Sequence, residues 1–442
     1  MPTENTAAPV RVGGTSRRYI LVMLTLVYVI NYLDRNILNQ LLPSIKAEFH
    51  LSDADLGFLS GTVFAILYAT LGVPLAWLAD RINRRNVIAI SMMLFAAMTA
   101  VSAFAGSFRQ LVLARIGTGI GEAGTSPSVN SIISDLYEPK ERAGALSFYA
   151  TGLNVGLLLA FFGGGWIEQR FGWRNAFLAA GIPGLVIAVL FLFTVPEPRR
   201  GHVEQIKDIG RTPPLGETIA YLWSLKSFRY IAFGTAMAAF GGYAGNTFVP
   251  SFFSKVFHLT PQMRGFLIGG LFGVVGGIGT YFSGVFADWL GKRDVRWNMY
   301  VILVIIGAAL PFFPLYFLSN NFYIALACSL VPTMNGAAYL APSYAMVQSL
   351  VPLRMRAQAA AILLFTLNII GFGLGPLLVG FESDKLAQVF PHLGTDSVRW
   401  AMLSTAFTWG IAFYCFWQAS RALPGELAKA NAPPAPAIEV GA

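Results

Sequence analysis

The sequence is poor in charge and in the residues that build metal or disulfide sites. Only 12% of its 442 residues are Asp, Glu, Lys or Arg, and 55% are hydrophobic; soluble domains have roughly 25% charged residues. The 2 cysteines and 4 histidines show no metal-ligand spacing, and no phosphate-binding loop or nucleophile motif occurs. These absences argue against a soluble protein, a disulfide scaffold and an enzyme, and we expect no metal and no cofactor.

The hydrophobic residues are gathered into long runs. Each run has about 20 residues, which is enough to cross a bilayer as a helix. We name the runs spans 1 to 12, and they cover residues 19–42, 55–79, 87–106, 110–134, 143–166, 174–195, 229–253, 264–288, 298–318, 322–349, 357–381 and 398–420. The sequence therefore predicts an all-α integral membrane protein with twelve transmembrane helices.

The positive charge lies unevenly on the two sides of these spans. Of the 31 lysines and arginines, 21 lie on the side of the N-terminus and 8 on the other, while Arg35 and Arg115 lie within spans. Because short cytoplasmic loops carry an excess of basic residues, both termini are predicted to be cytoplasmic, and the plasma (inner) membrane is the expected location. The net charge of +9 is spread over these loops, so we expect no nucleic-acid partner.

Two internal matches indicate that the chain is built from two similar halves. Residues 76–85 after span 2 match residues 284–293 after span 8, and Pro127-Ser128 with Leu153-Asn154 recur as Pro342-Ser343 with Leu367-Asn368. The predicted organisation is an N-terminal tail (1–18), a six-helix bundle (19–195), a linker (196–228), a second six-helix bundle (229–420) and a C-terminal tail (421–442). Parallel repeats of this kind place a substrate site between the halves, near the membrane midplane.

The linker and the C-terminal tail differ in composition from the spans. The linker combines prolines with basic residues and is predicted to form a short helix at the membrane surface near Leu215–Leu225. The tail is rich in Ala and Pro from Pro424 onwards and is predicted to be disordered.

Four charged residues lie inside spans of the first half. Asp34 and Arg35 are in span 1, and Arg115 and Glu122 are in span 4; each costs roughly 2.5–3.5 kcal/mol at a helix centre, so such residues usually mark a pathway. Neighbours on a helix point about 100° apart, so Asp34 and Arg35 each need another partner. We predict that Asp34 and Glu122 exchange protons and that Arg35 and Arg115 bind an anionic headgroup, because a guanidinium stays charged when buried.

Neutral polar residues and the loop charges supply further candidates. The candidate cavity-lining residues are Asn31, Tyr32, Tyr243, Asn246, Asn335 and Asn368. Residues 241–246 are glycine-rich and are predicted to break span 7. The charges at the cytoplasmic ends of the spans are predicted to form a gate, and they are Asp80, Arg81, Arg84, Arg85, Arg142 and Asp288.

Several of these stretches resemble motifs of the major facilitator superfamily. The Asp80–Arg85 loop and its echo after span 8 are similar to the loop signature of that superfamily, and residues 115–121 resemble the span-4 motif of its proton-coupled members. The glycine-rich span 5 is similar to the motif of its antiporters. The resemblance implies a twelve-helix transporter that works by alternating access.

Within that superfamily the strings Asn31–Arg35, Gly119–Ala123 and Ser134–Tyr137 look most like the Spinster family. This resemblance implies transport of lysophospholipids or sphingosine-phosphate, with proton coupling. The anion:cation symporters, which carry sugar acids, share Tyr-x-Asp-Arg and Glu-Ala, and remain the alternative. We favour an amphiphile because the charges belong to the first half, whereas the second half is apolar. The expected partners are protons, the membrane and a lipid-like or organic-anion substrate, and a monomer is expected.

Overall fold

The computed structural model describes residues 11–12, 15–68, 70–71, 82–198 and 213–430. Strands β1 (Arg11–Val12) and β2 (Thr15–Ser16) form a small antiparallel pair before the first helix. The helices of spans 1 to 6 are Arg17–Phe49, Asp53–Gly57 continuing through 63–68, Arg84–Ser102, Phe108–Ala123 with Thr125–Leu136, Pro139–Leu158 with Gly164–Phe171, and Trp173–Thr194.

A linker helix, Leu215–Ser224, precedes the second half. The helices of spans 7 to 12 are Lys226–Phe257, Pro261–Gly269 with Gly276–Gly291, Trp297–Ala309 with Phe312–Leu318, Phe322–Met334 with Leu340–Ser349, Arg356–Thr366 with Gly375–Val389, and Ser397–Ala430. Short 3₁₀ turns occur at Leu353–Met355 and Pro391–Asp396.

In the described ranges, each predicted apolar run is mostly helical. Seven helices in the described ranges are long and apolar enough to cross a membrane. The other five are interrupted, less apolar, or border residues that are not described. We call the end of the bundle that carries the linker helix the linker end, and the opposite end the far end.

Within the described residues, wide π-helical turns interrupt four of the helices. They are Phe58–Thr62 in span 2, Leu159–Gly163 in span 5, Gly270–Val275 in span 8 and Leu367–Leu374 in span 11. These spans occupy equivalent places in the two halves, and all four take part in the contact between the halves at the far end. Such turns are rare and often lie at functional sites.

The repeat is also visible in the helix ends. His50 ends span 1 and His258 ends span 7, and both have left-handed backbone, with φ of 52° and 53°. Two residues later Ser52 and Thr260 cap spans 2 and 8, each accepting a hydrogen bond from a backbone N–H of the first turn. Equivalent residues therefore make equivalent turns in both halves.

Two expectations about helix continuity were wrong. Span 7 is unbroken from Lys226 to Phe257. Its Gly241 serves packing, since a Cβ there would lie 2.4 Å from the indole nitrogen of Trp409 in span 12. Span 12 stays helical to Ala430, beyond the predicted start of disorder at Pro424. It is held there because Glu426 accepts hydrogen bonds from the backbone N–H groups of Lys226 and Ser227.

The halves approach most closely at the far end. A Cβ on Gly57 would lie 2.1 Å from the carbonyl oxygen of Pro376, and one on Gly265 would lie 2.1 Å from that of Phe161. Glycine is therefore required at both places, where span 2 meets span 11 and span 5 meets span 8.

Candidate functional site

A cavity of about 210 Å³ lies between the two halves. Spans 1 and 5 form its first-half wall, and spans 7 to 12 form the rest. Among the described residues that line it, Arg35 alone is charged. The second-half wall is largely aromatic and aliphatic, and its apolar residues include Phe272, Phe313, Phe317, Leu340, Met402 and Trp409.

Arg35 is held by one carboxylate and several aromatic rings. Its Nη2 lies 3.2 Å from Oε1 of Glu122, and the side chains of both residues are 10% exposed. The guanidinium carbon lies 4.5 Å from the ring centroid of Phe64 and 5.1 Å from that of Phe372 in the second half. A cation over aromatic faces gains electrostatic energy even where water is scarce. Arg35 therefore keeps its charge while facing the cavity.

The glycines of span 4 bring Glu122 and Arg115 to this position. A Cβ on Gly119 would lie 3.3 Å from Leu67 of span 2, and one on Gly121 would lie 2.7 Å from the backbone nitrogen of Phe95 in span 3. Span 4 thus packs closely against its neighbours, and the two charged side chains project toward span 1.

Arg115 and Asp34 face a different space from Arg35. They line a small second cavity within the first half, together with the hydroxyl-bearing Thr99, Ser102 and Thr118. Arg115 donates long hydrogen bonds of 3.4 Å to the carbonyl oxygens of Arg35 and Ser60, whereas neither carboxylate oxygen of Asp34 has a hydrogen-bond partner in the described ranges. The structure therefore separates the predicted site residues into a group at the main cavity and a group behind it.

The uncharged residues that were predicted to line the cavity also fall into two groups. Tyr32, Tyr243 and Asn246 line the main cavity, while Asn31, Asn335 and Asn368 are buried and do not. The side chain of Asn368 donates to the carbonyl oxygen of Leu364 in its own helix, at 2.9 Å.

Sequence reasoning missed several polar residues of the cavity wall. Asn36 and Asn39 of span 1 and Asn154 of span 5 line it. Asn36 accepts a hydrogen bond from Asn246 at 2.7 Å, which connects the two halves. The spacing of Tyr32, Asn36 and Asn39 places all three on one helix face, and this was the signal available in the sequence.

The predicted gate residues are only partly described. Asp80 and Arg81 lie outside the described residues, and Asp288 is exposed at the linker end. Arg84 is buried and pairs with Asp135 of the first half at 2.5 Å and with Glu197, at the start of the linker, at 2.9 Å. Arg85 hydrogen-bonds its neighbour Asn86, and Arg142 donates to the carbonyl oxygen of Ser134 at 2.9 Å.

A polar contact at the far end joins the halves and was not predicted. Lys255 of span 7 pairs with Asp53 of span 2 at 3.1 Å, and Lys46 also contacts Asp53. Ser383 of span 11 donates to Asp53 at 2.8 Å, and Asp384 accepts from the backbone N–H of Asp53 at 2.9 Å. The carboxylate of Asp384 thus lies at the N-terminus of span 2, where negative charge is favoured.

A second ion pair supports the same contact. Arg264 of span 8 lies 2.8 Å from Glu168 of span 5, and both residues are buried. Arg264 also donates to the carbonyl oxygen of Gln40, and Gln40 donates to the carbonyl oxygen of Pro261. We call the Asp53 and Glu168 contacts together the far-end latch.

Asp53 and Lys255 lie outside the predicted spans, and both are perturbed by their surroundings. Burial tends to raise the pKa of the Asp53 carboxyl, but the ammonium groups of Lys255 and Lys46 outweigh it, and the pKa is lowered. Burial lowers the pKa of Lys255 in spite of the nearby carboxylate. Since the Asp53 pKa is depressed, its contribution to the latch is present at neutral pH and is lost only as the pH falls through that lowered value.

The chain belongs to the Major Facilitator Superfamily, whose profile matches residues 24–376. It is therefore a membrane transporter of the twelve-helix type and not an enzyme. Its Spinster resemblance is confirmed by a solved bacterial homolog of the human lysosomal transporter Spinster, in an inward-facing and unoccupied conformation. The two are 29% identical with a TM-score of 0.82, over 95% of this chain and 99% of the homolog.

Three curated relatives are transporters by name, and two of the names state a transported compound. An MFS-type efflux pump of Mycolicibacterium smegmatis is 31% identical, over 92% of this chain and 94% of the relative. The sphingosine-1-phosphate transporter SPNS2 of Xenopus tropicalis is 26% identical over 86% and 75%. The cis,cis-muconate transport protein of Acinetobacter baylyi is 27% identical over 64% and 69%. These relatives include both a lipid phosphate transporter and a transporter of a small dicarboxylate.

Proposed function

We propose that the protein is a proton-coupled secondary transporter of an amphiphilic anion, such as a lysophospholipid or a sphingosine-phosphate-like lipid. The proposal rests on the difference between the two halves in the side chains that they present to the cavity. Arg35 presents a cation from the first half, and the second half presents the apolar residues Phe272, Phe313, Phe317 and Met402. A headgroup binds Arg35 through its phosphate, and the tail lies along the second half.

The charges of the first half supply the reason for proton coupling. Asp34, Arg35, Arg115 and Glu122 are buried or nearly so, and when all four are ionised their charges cancel. A bound monoanion would leave this region with an excess negative charge in a medium of low dielectric constant, which is costly. Uptake of one proton by Asp34 or Glu122 offsets that charge. We therefore propose that one proton accompanies each monoanionic headgroup.

A small organic anion is the second candidate, and a specific observation favours it. Asn36, Asn39, Asn154 and Asn246 all line the cavity, so both halves offer amide groups to a polar substrate. The relatedness to a cis,cis-muconate transport protein is consistent with this alternative. In that case Arg35 binds a carboxylate and the amides bind the rest of the molecule.

Binding to purified protein distinguishes the two candidates. Lysophospholipids with one headgroup and increasing acyl length are compared with muconate and a sugar acid. An amphiphile site predicts affinity that rises with length, toward a limit of about 0.8 kcal/mol per buried methylene. Affinity that is independent of length, together with equal competition by the short anions, would favour the second candidate.

We further propose that both termini are cytoplasmic and that the protein lies in the plasma (inner) membrane. The basis is the excess of basic residues at the linker end. Cysteines placed at Lys46 and at Lys207 are predicted to label from opposite sides of intact cells. Labelling of both positions from outside would contradict this orientation.

A further inference from the structure

The linker helix has three distinct faces. At 100° per residue, Leu215, Ile219 and Trp223 fall within an arc of about 80°, and they are 49%, 43% and 59% exposed. The next arc holds small and polar residues, all of them exposed: Gly216, Glu217, Ala220 and Ser224. The remaining arc holds Thr218, Tyr221 and Leu222.

The third face is docked on the second half. Leu222 and Thr218 are fully buried, and Thr218 donates a hydrogen bond to Gln358 of span 11. Gln358 in turn donates to the carbonyl oxygen of Pro213 at 3.1 Å, and Tyr221 donates to that of Leu350 at 3.3 Å. The helix is thus fixed against the second half, and its exposed apolar arc has a defined direction.

The surroundings of that arc are basic. Lys226 and Arg229 lie in the first turn of the next helix, which is separated from the linker helix by a single residue. Arg354 and Arg356 lie at the start of span 11, on which the linker helix is docked. All four side chains are exposed. An exposed apolar arc with an aromatic residue, next to basic residues at the end of a transmembrane bundle, has the composition of a helix that lies in the bilayer interface.

We propose that the linker helix is an anchor on the bilayer surface at the linker end and that it recruits anionic phospholipids. Leu215, Ile219 and Trp223 enter the interface, and the water-facing arc with Glu217 and Ser224 points away from it. Lys226, Arg229, Arg354 and Arg356 attract negatively charged headgroups. Because the helix is docked on the second half, this contact ties the second half to one leaflet.

The first test measures the depth of two neighbouring positions. Nitroxide labels are placed at Ile219→Cys and, as the matched control, at Ala220→Cys, in protein with Cys328→Ala and Cys415→Ala in lipid nanodiscs. The label at 219 should be relaxed mainly by oxygen, which concentrates in lipid, and the label at 220 mainly by a water-soluble nickel complex. Equal exposure of both labels to the nickel complex would overturn the proposal. Shielding of 219 from both reagents, or dipolar broadening between two copies, would also overturn it, because a protein surface would then cover the arc.

The second test concerns lipid charge. Protein is exchanged into a mixture of phosphatidylcholine and phosphatidylglycerol, and the retained lipids are quantified by mass spectrometry. Wild type should be enriched in phosphatidylglycerol, and combined Lys226→Gln, Arg229→Gln, Arg354→Gln and Arg356→Gln should reduce the enrichment about fivefold or more. The control removes exposed basic residues at the far end, Arg109→Gln, Arg170→Gln and Lys385→Gln. An equal loss of enrichment in the control, or no loss in the linker-end variant, would refute the lipid selectivity. If the combined variant misfolds, Arg229→Gln alone is the milder variant to measure.

Discussion

The two halves share a fold and equivalent helix caps, yet they place different chemistry at the cavity. In the first half, spans 1 and 4 hold two acids and two bases at or behind the cavity wall, and both guanidinium groups lie against the ring of Phe64. In the second half, the described residues that line the cavity are aromatic, aliphatic or neutral polar. The two halves therefore repeat the same backbone fold but carry different side chains around the cavity. Under the function proposed above, the first half binds the charged headgroup and exchanges protons, and the second half accommodates the uncharged part of the substrate.

The largest effect is expected for Arg35→Ala. This change removes the cavity's cation and leaves Glu122 buried without its 3.2 Å partner. Anion binding should weaken roughly 30-fold or more, which corresponds to about 2 kcal/mol. Titration calorimetry on purified protein measures it. Arg115→Ala is the matched comparison and should weaken binding less, since Arg115 faces the second cavity; equal losses would show that the substrate depends on both arginines.

Neutralising the acids should separate coupling from binding. Asp34→Asn and Glu122→Gln are expected to flatten the pH dependence of transport into proteoliposomes while anion binding is largely kept. Glu217→Gln is the control, because it also removes one carboxylate but lies exposed on the linker helix, outside the spans. This variant should keep the wild-type pH profile. Persistence of that profile in the Asp34→Asn/Glu122→Gln double variant would remove these acids from the coupling.

The contact between the halves can be broken without changing any charge. Gly57→Ala introduces a Cβ that would lie 2.1 Å from the carbonyl oxygen of Pro376, so the far end should open. Spin labels at Arg109→Cys and His392→Cys, one in each half, should move apart in distance measurements. Gly163→Ala is the control, since its Cβ would meet nothing within 4 Å. Unchanged distances in Gly57→Ala would show that this close approach does not hold the far end shut.

The smallest effect is expected in the second half. Phe272 lines the cavity in the second half, where the proposed binding mode places the tail. Phe272→Ala should therefore weaken binding of long-chain substrates a few-fold and leave short-chain analogues unaffected. Phe286 lies on the outer face of the same span and is 46% exposed. Phe286→Ala is the control and should leave the binding of both long-chain and short-chain substrates unchanged. An equal loss for short and long chains would place Phe272 beside the headgroup instead.

The charged centre could be predicted because its residues stand out within apolar runs. Asp34, Arg35, Arg115 and Glu122 were identifiable for that reason, but the sequence did not indicate which would share a cavity. Asn36 and Asn39 are neutral and did not stand out. The repeat was misleading for Asn368, which matches Asn154 in sequence yet hydrogen-bonds its own helix, because a cavity wall depends on helix rotation as well as on position.

The far-end latch was missed for a different reason. Asp53, Lys255, Glu168 and Arg264 lie at the ends of apolar runs, where charged residues are ordinary and need no special explanation. Their importance comes from pairing across the halves, and sequence separation hides that pairing. The same limit applies to span 7, where Gly241, one of the glycines that suggested a break, serves close packing against span 12.

The four π-helical turns have a consequence for how substitutions in this chain should be designed. Each wide turn holds one residue more than a regular turn, so the segment beyond it is offset by about 100° in phase. If residues are counted along spans 2, 5, 8 or 11 as if these were uniform helices, the side chains beyond the turn are assigned to the wrong helix face. Deleting one residue within such a turn, for example Gly163, would restore a regular helix and rotate the rest of span 5. Glu168 would then point away from Arg264, although every side chain of the ion pair is retained.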